Sequence, residues 1–205
     1  MSLDNVLRQI AARIPVIDGA RVGIDGVDGA GKTVFADRLA QAMSRPVVRV
    51  SADDFHNVRA IRHRRGRQSP EGFWLDSYDH DRLRAHVLET FPRYRPKAHD
   101  LATDAVVDTP ELVAPPNAVL VVDGLFLHRD ELRHFWHLSV FLDVPFTVSV
   151  PRMATRDGTN PDPEHVSVRR YVEGQRLYFR SCAPQLRATV LVDNTDFDAP
   201  RLLAG

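Results

Sequence analysis

Gly26-Val27-Asp28-Gly29-Ala30-Gly31-Lys32-Thr33 is the run that most restricts how this chain can fold. It follows the short apolar segment Arg21-Val22-Gly23-Ile24-Asp25 and precedes Val34 to Met43, which is helical in pattern. The order predicted is therefore strand, glycine loop, helix. Glycines let a backbone wrap a phosphate chain with its N–H groups pointing inward, where side chains would intrude. The helix that starts near Lys32 adds the positive end of its dipole. In such a loop Lys32 would reach the terminal phosphates and the Thr33 hydroxyl would ligate Mg²⁺.

The rest of the chain repeats the strand and helix alternation. Residues 3–14 predict an amphipathic helix, from Leu3, Val6, Leu7, Ile10, Ala11 and Ile14. Val47–Val50 predicts a second strand, ending at Ser51-Ala52-Asp53-Asp54-Phe55. Residues 56–75 lack periodicity and are rich in Arg, Gly and Pro, so a long loop is expected there, and Asp79–Glu89 is expected to be helical. Ala118–Asp123 is a near-continuous apolar run, the mark of a strand buried on both faces, and Leu138–Leu142 and Thr189–Val192 repeat it. Residues 145–156 and 164–181 read as helices around the turn-forming stretch 157–163. This pattern predicts an α/β fold: a doubly wound parallel sheet of about five strands with helices on both faces and a small helical lid.

The 205 residues suit one compact domain, 1–205, with a substrate-side loop near 56–78 and a lid near 152–170. Lys+Arg and Asp+Glu both total 27, so the basic excess of a nucleic-acid binder is missing. Cys182 is the one cysteine, which excludes an internal disulfide. No stretch approaches the roughly 18 apolar residues of a membrane span, and the N-terminus does not read as a signal peptide. A cytoplasmic protein with a small-molecule partner, and neither nucleic acid nor membrane, is expected. A homodimer is compatible with such a domain.

Two further strand ends carry acids. Asp123 closes Val119–Val122 and suits a metal site beside Thr33, directly or through a bound water. Asp53 and Asp54 end the second strand, on the sheet edge where open parallel sheets bind ligands. A carboxylate there can take the proton of an attacking hydroxyl, or orient it and help hold Mg²⁺. The other reading of these acids is a turn cap and loop charge.

The glycine loop, Ser51-Ala52-Asp53-Asp54-Phe55-His56 and the strand ending at Asp123-Gly124 together resemble the uridine kinase group of P-loop kinases. That group includes uridine/cytidine kinases, phosphoribulokinase, pantothenate kinase and nicotinamide riboside kinase. The resemblance runs over residues 18–195. It implies a P-loop NTPase fold, ATP and Mg²⁺ as cofactors, and transfer of the γ-phosphate to an alcohol. It places the catalytic base on Asp53, with Lys32 and Arg156 as the other catalytic residues. Gly26, Asp28, Gly29, Ala30, Gly31, Lys32, Thr33 and Arg152 would hold the nucleotide, and Thr33, Asp53 and Asp123 the metal. Tyr94 and His99 keep a spacing that uridine kinases use near the nucleobase, and with Asp53 and Arg169 they form the implied substrate set. The chain departs from the pattern at Arg95-Pro96, where uridine kinases have Asp-Phe. It departs again at Asp123, where Glu is common, and at Asp157-Gly158-Thr159, where the lid has Arg-Gly-Arg-Asp.

Uridine is the leading acceptor on this resemblance. Nicotinamide riboside, pantothenate or a sugar phosphate are alternatives, and a nucleotide switch without a metabolite substrate is the rival class. Arg59, Arg62, His63, Arg64, Arg65 and Arg67 crowd into nine positions after the acid pair. They read as a solvated basic loop, an anion site or, less well, an RNA contact. Phe73, Trp74 and Tyr78 suit either core packing or stacking on a base. His134 and His137 lack the spacing and partners of a zinc site.

Overall fold

A computed structural model of the chain describes residues 2–204; positions 1 and 205, included in the expected single domain, lie outside the described residues. In chain order the elements are α1 (Leu3–Arg13), β1 (Arg21–Gly26), α2 (Lys32–Gln41), β2 (Val47–Ser51), a 3₁₀ turn (Ala52–Phe55), α3 (Arg59–Arg62), α4 (Pro70–Asp76) and α5 (His80–Leu83). A π-helical turn (Arg84–Leu88) leads to four two-residue strands, β3 (Arg93–Tyr94), β4 (His99–Asp100), β5 (Ala105–Val106) and β6 (Leu112–Val113). Then come β7 (Val119–Asp123), β8 (Leu138–Asp143), α6 (Phe146–Asp157), α7 (Arg169–Cys182), α8 (Pro184–Arg187), β9 (Val190–Asp193) and β10 (Arg201–Ala204).

The main sheet has the order β10-β9-β8-β1-β7-β2. Its five strands from β9 to β2 are parallel, and β10 adds an antiparallel edge that the sequence pattern did not indicate. β7 shows why the apolar runs read as strands. Val119 and Val121 enter the core on the α1–α2 face, while Leu120 and Val122 enter the opposite core, which includes Phe73, Trp74 and Tyr178. Alternation onto two buried faces requires an apolar residue at every position. A Val121→Ala change would lose buried methyls and leave a cavity, at a cost of about 1–3 kcal/mol.

The segment 56–75 is not one loop. α3 and α4 interrupt it, because Ser69 accepts a hydrogen bond from the Gly72 amide at 3.0 Å and Pro70 starts the helix where no amide is needed. α4 then lies flush on α7. A Cβ on Gly174 would stand 2.7 Å from Phe73 Cδ1 and 2.9 Å from the Pro70 carbonyl oxygen. The expected helix over 79–89 divides into α5 and the π-helical turn, and the helix expected from 164 begins at Arg169. No described helix is long and apolar enough to cross a membrane.

Candidate active site

The carboxyl ends of β1, β2 and β7 open into one cleft of about 580 Å³. Its walls bring together Asp28, Gly29, Gly31, Lys32 and Thr33 from the glycine loop with Asp53, Asp123, Arg152 and Arg156. Gly29 and Gly31 have φ of +78° and +86°, in the left-handed region that glycine adopts without strain. The loop backbone packs tightly behind them. A Cβ on Gly29 would lie 2.2 Å from the Ser149 carbonyl oxygen of α6, and one on Gly31 2.5 Å from Phe197. Gly26 and Ala30 are further back: the Gly26 amide donates to Asp25, and the Ala30 carbonyl accepts from buried Asn194 at 2.8 Å. Lys32 Nζ donates to the Val27 carbonyl at 2.9 Å, across the loop itself. The concavity and its cationic rim suit an anion such as a phosphate chain.

Thr33 Oγ1 donates to Asp123 Oδ2 at 2.7 Å, and Arg49 Nη2 donates to the other oxygen, Oδ1, at 3.0 Å. Asp123 is 2 % exposed, so this carboxylate is fixed. A hydroxyl and a carboxylate in contact are the hard oxygen donors that Mg²⁺ takes beside substrate phosphates. Among the described residues no group of three His, Cys, Asp or Glu gathers as a metal cage. The Thr33 and Asp123 oxygens fit Mg²⁺ shared with a nucleotide. Bound there, Mg²⁺ would supply charge neutralisation at the phosphate oxygens.

Asp53 sits in the 3₁₀ turn after β2, and the Tyr78 hydroxyl donates to its Oδ1 at 2.9 Å. Burial, and then the Asp53 charge, push the Tyr78 hydroxyl well above its ordinary range, so it stays a donor. His56 Nδ1 is 2.8 Å from the Asp53 carbonyl oxygen, and burial lowers its imidazole below the usual range. Asp54 does not line the cleft. It lies 3.6 Å from Lys97, and burial raises its carboxyl.

Arg156 Nη2 reaches Asp28 Oδ1 at 3.2 Å, and its hydrogen bonds to Asp157 raise the guanidinium further above its already high range. Arg152 lies 3.6 Å over the Phe197 ring and donates to the carbonyls of Asn194 and Thr195. Three of the expected substrate residues are elsewhere. Tyr94 is on β3, paired with β6, and His99 is 2 % exposed, 3.3 Å from Asp104; neither lines the cleft. Arg169 is exposed at the start of α7, and its neighbour Arg170 lines the cleft instead. The phase of α7 explains the exchange, since Arg170, Gly174, Tyr178 and Cys182 recur at four-residue steps along its buried face.

Several site residues escaped the sequence reading. Asp25, fully buried on β1, accepts from the Gly26 amide, the Tyr178 hydroxyl, and both the amide and Nδ1 of His128. Gln175 of α7 accepts from the Asp28 amide at 2.7 Å and so ties that helix to the glycine loop. Asp25 had a signal: it shares the strand face of Gly23, opposite Val22 and Ile24, and a charge there needs buried partners. Gln175, Arg49 and Phe197 act through long-range contacts that no local pattern announces.

A curated uridine kinase of Aliivibrio salmonicida is 25 % identical over 149 residues. The match covers 66 % of this chain and 66 % of that protein, just under two thirds of its length. Among solved structures, a possible uridine kinase from Bacillus stearothermophilus superposes with a TM-score of 0.73 at 22 % identity, over 92 % of this chain and 96 % of the other. A putative fructose transport system kinase from a Silicibacter species gives 0.69 at 21 %, over 89 % and 96 %. No family model matches the chain.

Proposed function

We propose, from its place in the uridine kinase-like group of P-loop kinases, that this chain transfers the γ-phosphate of ATP to a hydroxyl of a small metabolite. The observation that carries the reading is the convergence of the glycine loop, the Thr33–Asp123 pair and Asp53 on one cleft. ATP would lie along the loop amides and Lys32, with Mg²⁺ beside Thr33 and Asp123. The acceptor hydroxyl would meet Asp53, which takes its proton as the oxygen bonds to the γ-phosphorus. The bond from that phosphorus to the bridging oxygen breaks and ADP leaves. Lys32, Arg152 and Arg156 would balance charge on the transferring group, and the segment near 152–170 would act as the lid.

The named relatives make uridine the first acceptor to try, with other nucleosides, pantothenate and sugar phosphates after it. ADP release is the measurement, with Mg²⁺-ATP in the presence and absence of each acceptor. Release that depends on an acceptor supports the kinase. Equal release without any acceptor would favour a nucleotide switch and overturn the proposal.

A further inference from the structure

Part of the cleft wall beside Asp53 carries donors with nothing charged to donate to. Arg170 is 6 % exposed, and its guanidinium bonds only to carbonyls, at 3.0 Å to Arg67 and Arg62 and at 3.3 Å to Gly66 and Ser69. Among the described residues it pairs with no carboxylate. Carbonyl oxygens satisfy its N–H geometry but leave a full positive charge out of water, which is costly unless a counter-charge arrives. Arg62 gives Nη2 to Asp104 at 3.1 Å, yet its buried Nε has no partner. Ser77 is 1 % exposed and its hydroxyl is also buried without a partner. All three line the cleft.

The local charge count agrees. Arg59, Arg62, Arg64, Arg65, Arg67 and Arg170 meet in this segment, and the carboxylates that pair with them are Asp76 and Asp104. Asp76 is taken by Arg64 and Arg65, and Asp104 by Arg62. His99 Nε2 lies 3.3 Å from Asp104 Oδ1 without a hydrogen bond, and His99 does not line the cleft. A neutral nucleobase would leave this positive excess unanswered.

We propose that the acceptor carries an anionic group, a carboxylate or a phosphate ester, and that Arg62, Arg170 and Ser77 bind it while its hydroxyl meets Asp53. The inference rests on the kinase reading above and narrows its substrate class. Two unpartnered donors and an unpaired cation form a site that an oxyanion with several lone pairs completes. The anion also fixes the acceptor's orientation, which a lone hydroxyl contact cannot do.

The test uses matched acceptors: D-ribose, D-ribonate and D-ribose 5-phosphate, with glycerol, glycerate and glycerol 3-phosphate, and uridine as the neutral nucleoside. Acceptor-dependent ADP release is measured for the full chain and for Arg62→Met and Ser77→Ala. An anionic member should exceed its neutral parent by roughly 30-fold or more in kcat/KM, the acid and ester arms deciding between carboxylate and phosphate. Arg62→Met should raise KM for that anionic acceptor by about 10-fold or more, with KM for ATP unchanged. Because Arg170 is buried, Arg170→Lys is assayed with thermal unfolding alongside. A folded variant with weakened anionic-acceptor KM agrees with the proposal. Neutral members used as well as anionic ones would overturn it and leave the kinase intact. A rise in KM for ATP in Arg62→Met, with acceptor KM unchanged, would assign these cations to the nucleotide and overturn it too. Absence of any acceptor-dependent release would remove the kinase reading and this inference together.

Discussion

The Tyr78 hydroxyl donates to Asp53 Oδ1 at 2.9 Å, while Oδ2 has no hydrogen bond among the described residues. Tyr78 lies just beyond α4 and its ring is 4.3 Å from that of His56, so one carboxylate oxygen is held from that side. One oxygen is thereby oriented and the other is available to a hydroxyl. Tyr78→Phe should lower kcat by about 10-fold and leave KM for ATP unchanged. An unchanged kcat would detach Tyr78 from the proposed base.

Gly29 tests the loop. Gly29→Ala brings a methyl within 2.2 Å of the Ser149 carbonyl oxygen at a φ of +78°. It should weaken binding of a non-hydrolysable ATP analogue by at least about 10-fold and cost roughly 1–3 kcal/mol of stability. Gly158→Ala has comparable positive φ but open space around it. That variant should bind the analogue as the parent does. Calorimetric titration of both variants separates backbone strain from loss of the cradle.

The buried Asp25 cluster supports the loop from below. Asp25→Ala strips partners from the Tyr178 hydroxyl and the His128 amide at once, and should cost about 3–5 kcal/mol in urea unfolding. Tyr178→Phe leaves Asp25 its two backbone donors and should cost only about 1–2 kcal/mol. Equal losses in the two variants would contradict this ranking.

His80 sets an acid weakness. Burial, helped by Arg129, lowers its imidazole from 6.5 to about 3. Well above pH 6.5 neither state binds the proton, so His80 adds no pH dependence there. As pH falls from 6.5 towards 3, the unfolded chain takes up a proton that the folded one refuses. Stability then drops by up to about 1.4 kcal/mol per pH unit. Between about pH 7 and pH 5 the parent should lose about 2 kcal/mol more than His80→Gln, read by urea unfolding.

The parts legible in the sequence share a physical cause. Val119–Val122 and Gly26–Thr33 encode their structure locally, through burial on two faces and through backbone freedom, so strand, loop and parallel sheet are legible in the sequence. α4 could have been read from Ser69-Pro70, but its few residues gave no period, and its stability comes from contact with Gly174 a hundred residues away. Arg170 differs from Arg169 by one step of helical phase, which decides whether a guanidinium meets water or the cleft. Tyr94 and His99 kept a familiar spacing while the chain around them folded them away from the cleft lining. Spacing carries a role only when the backbone delivers the residue.

Asp53→Asn tests the central claim most directly, because it keeps the shape and the Tyr78 contact while removing the proposed base. Acceptor-dependent ADP release should fall by about 1,000-fold or more, with the Kd of a non-hydrolysable ATP analogue changed by less than about threefold. Acceptor-dependent release at the parent's rate would contradict the account.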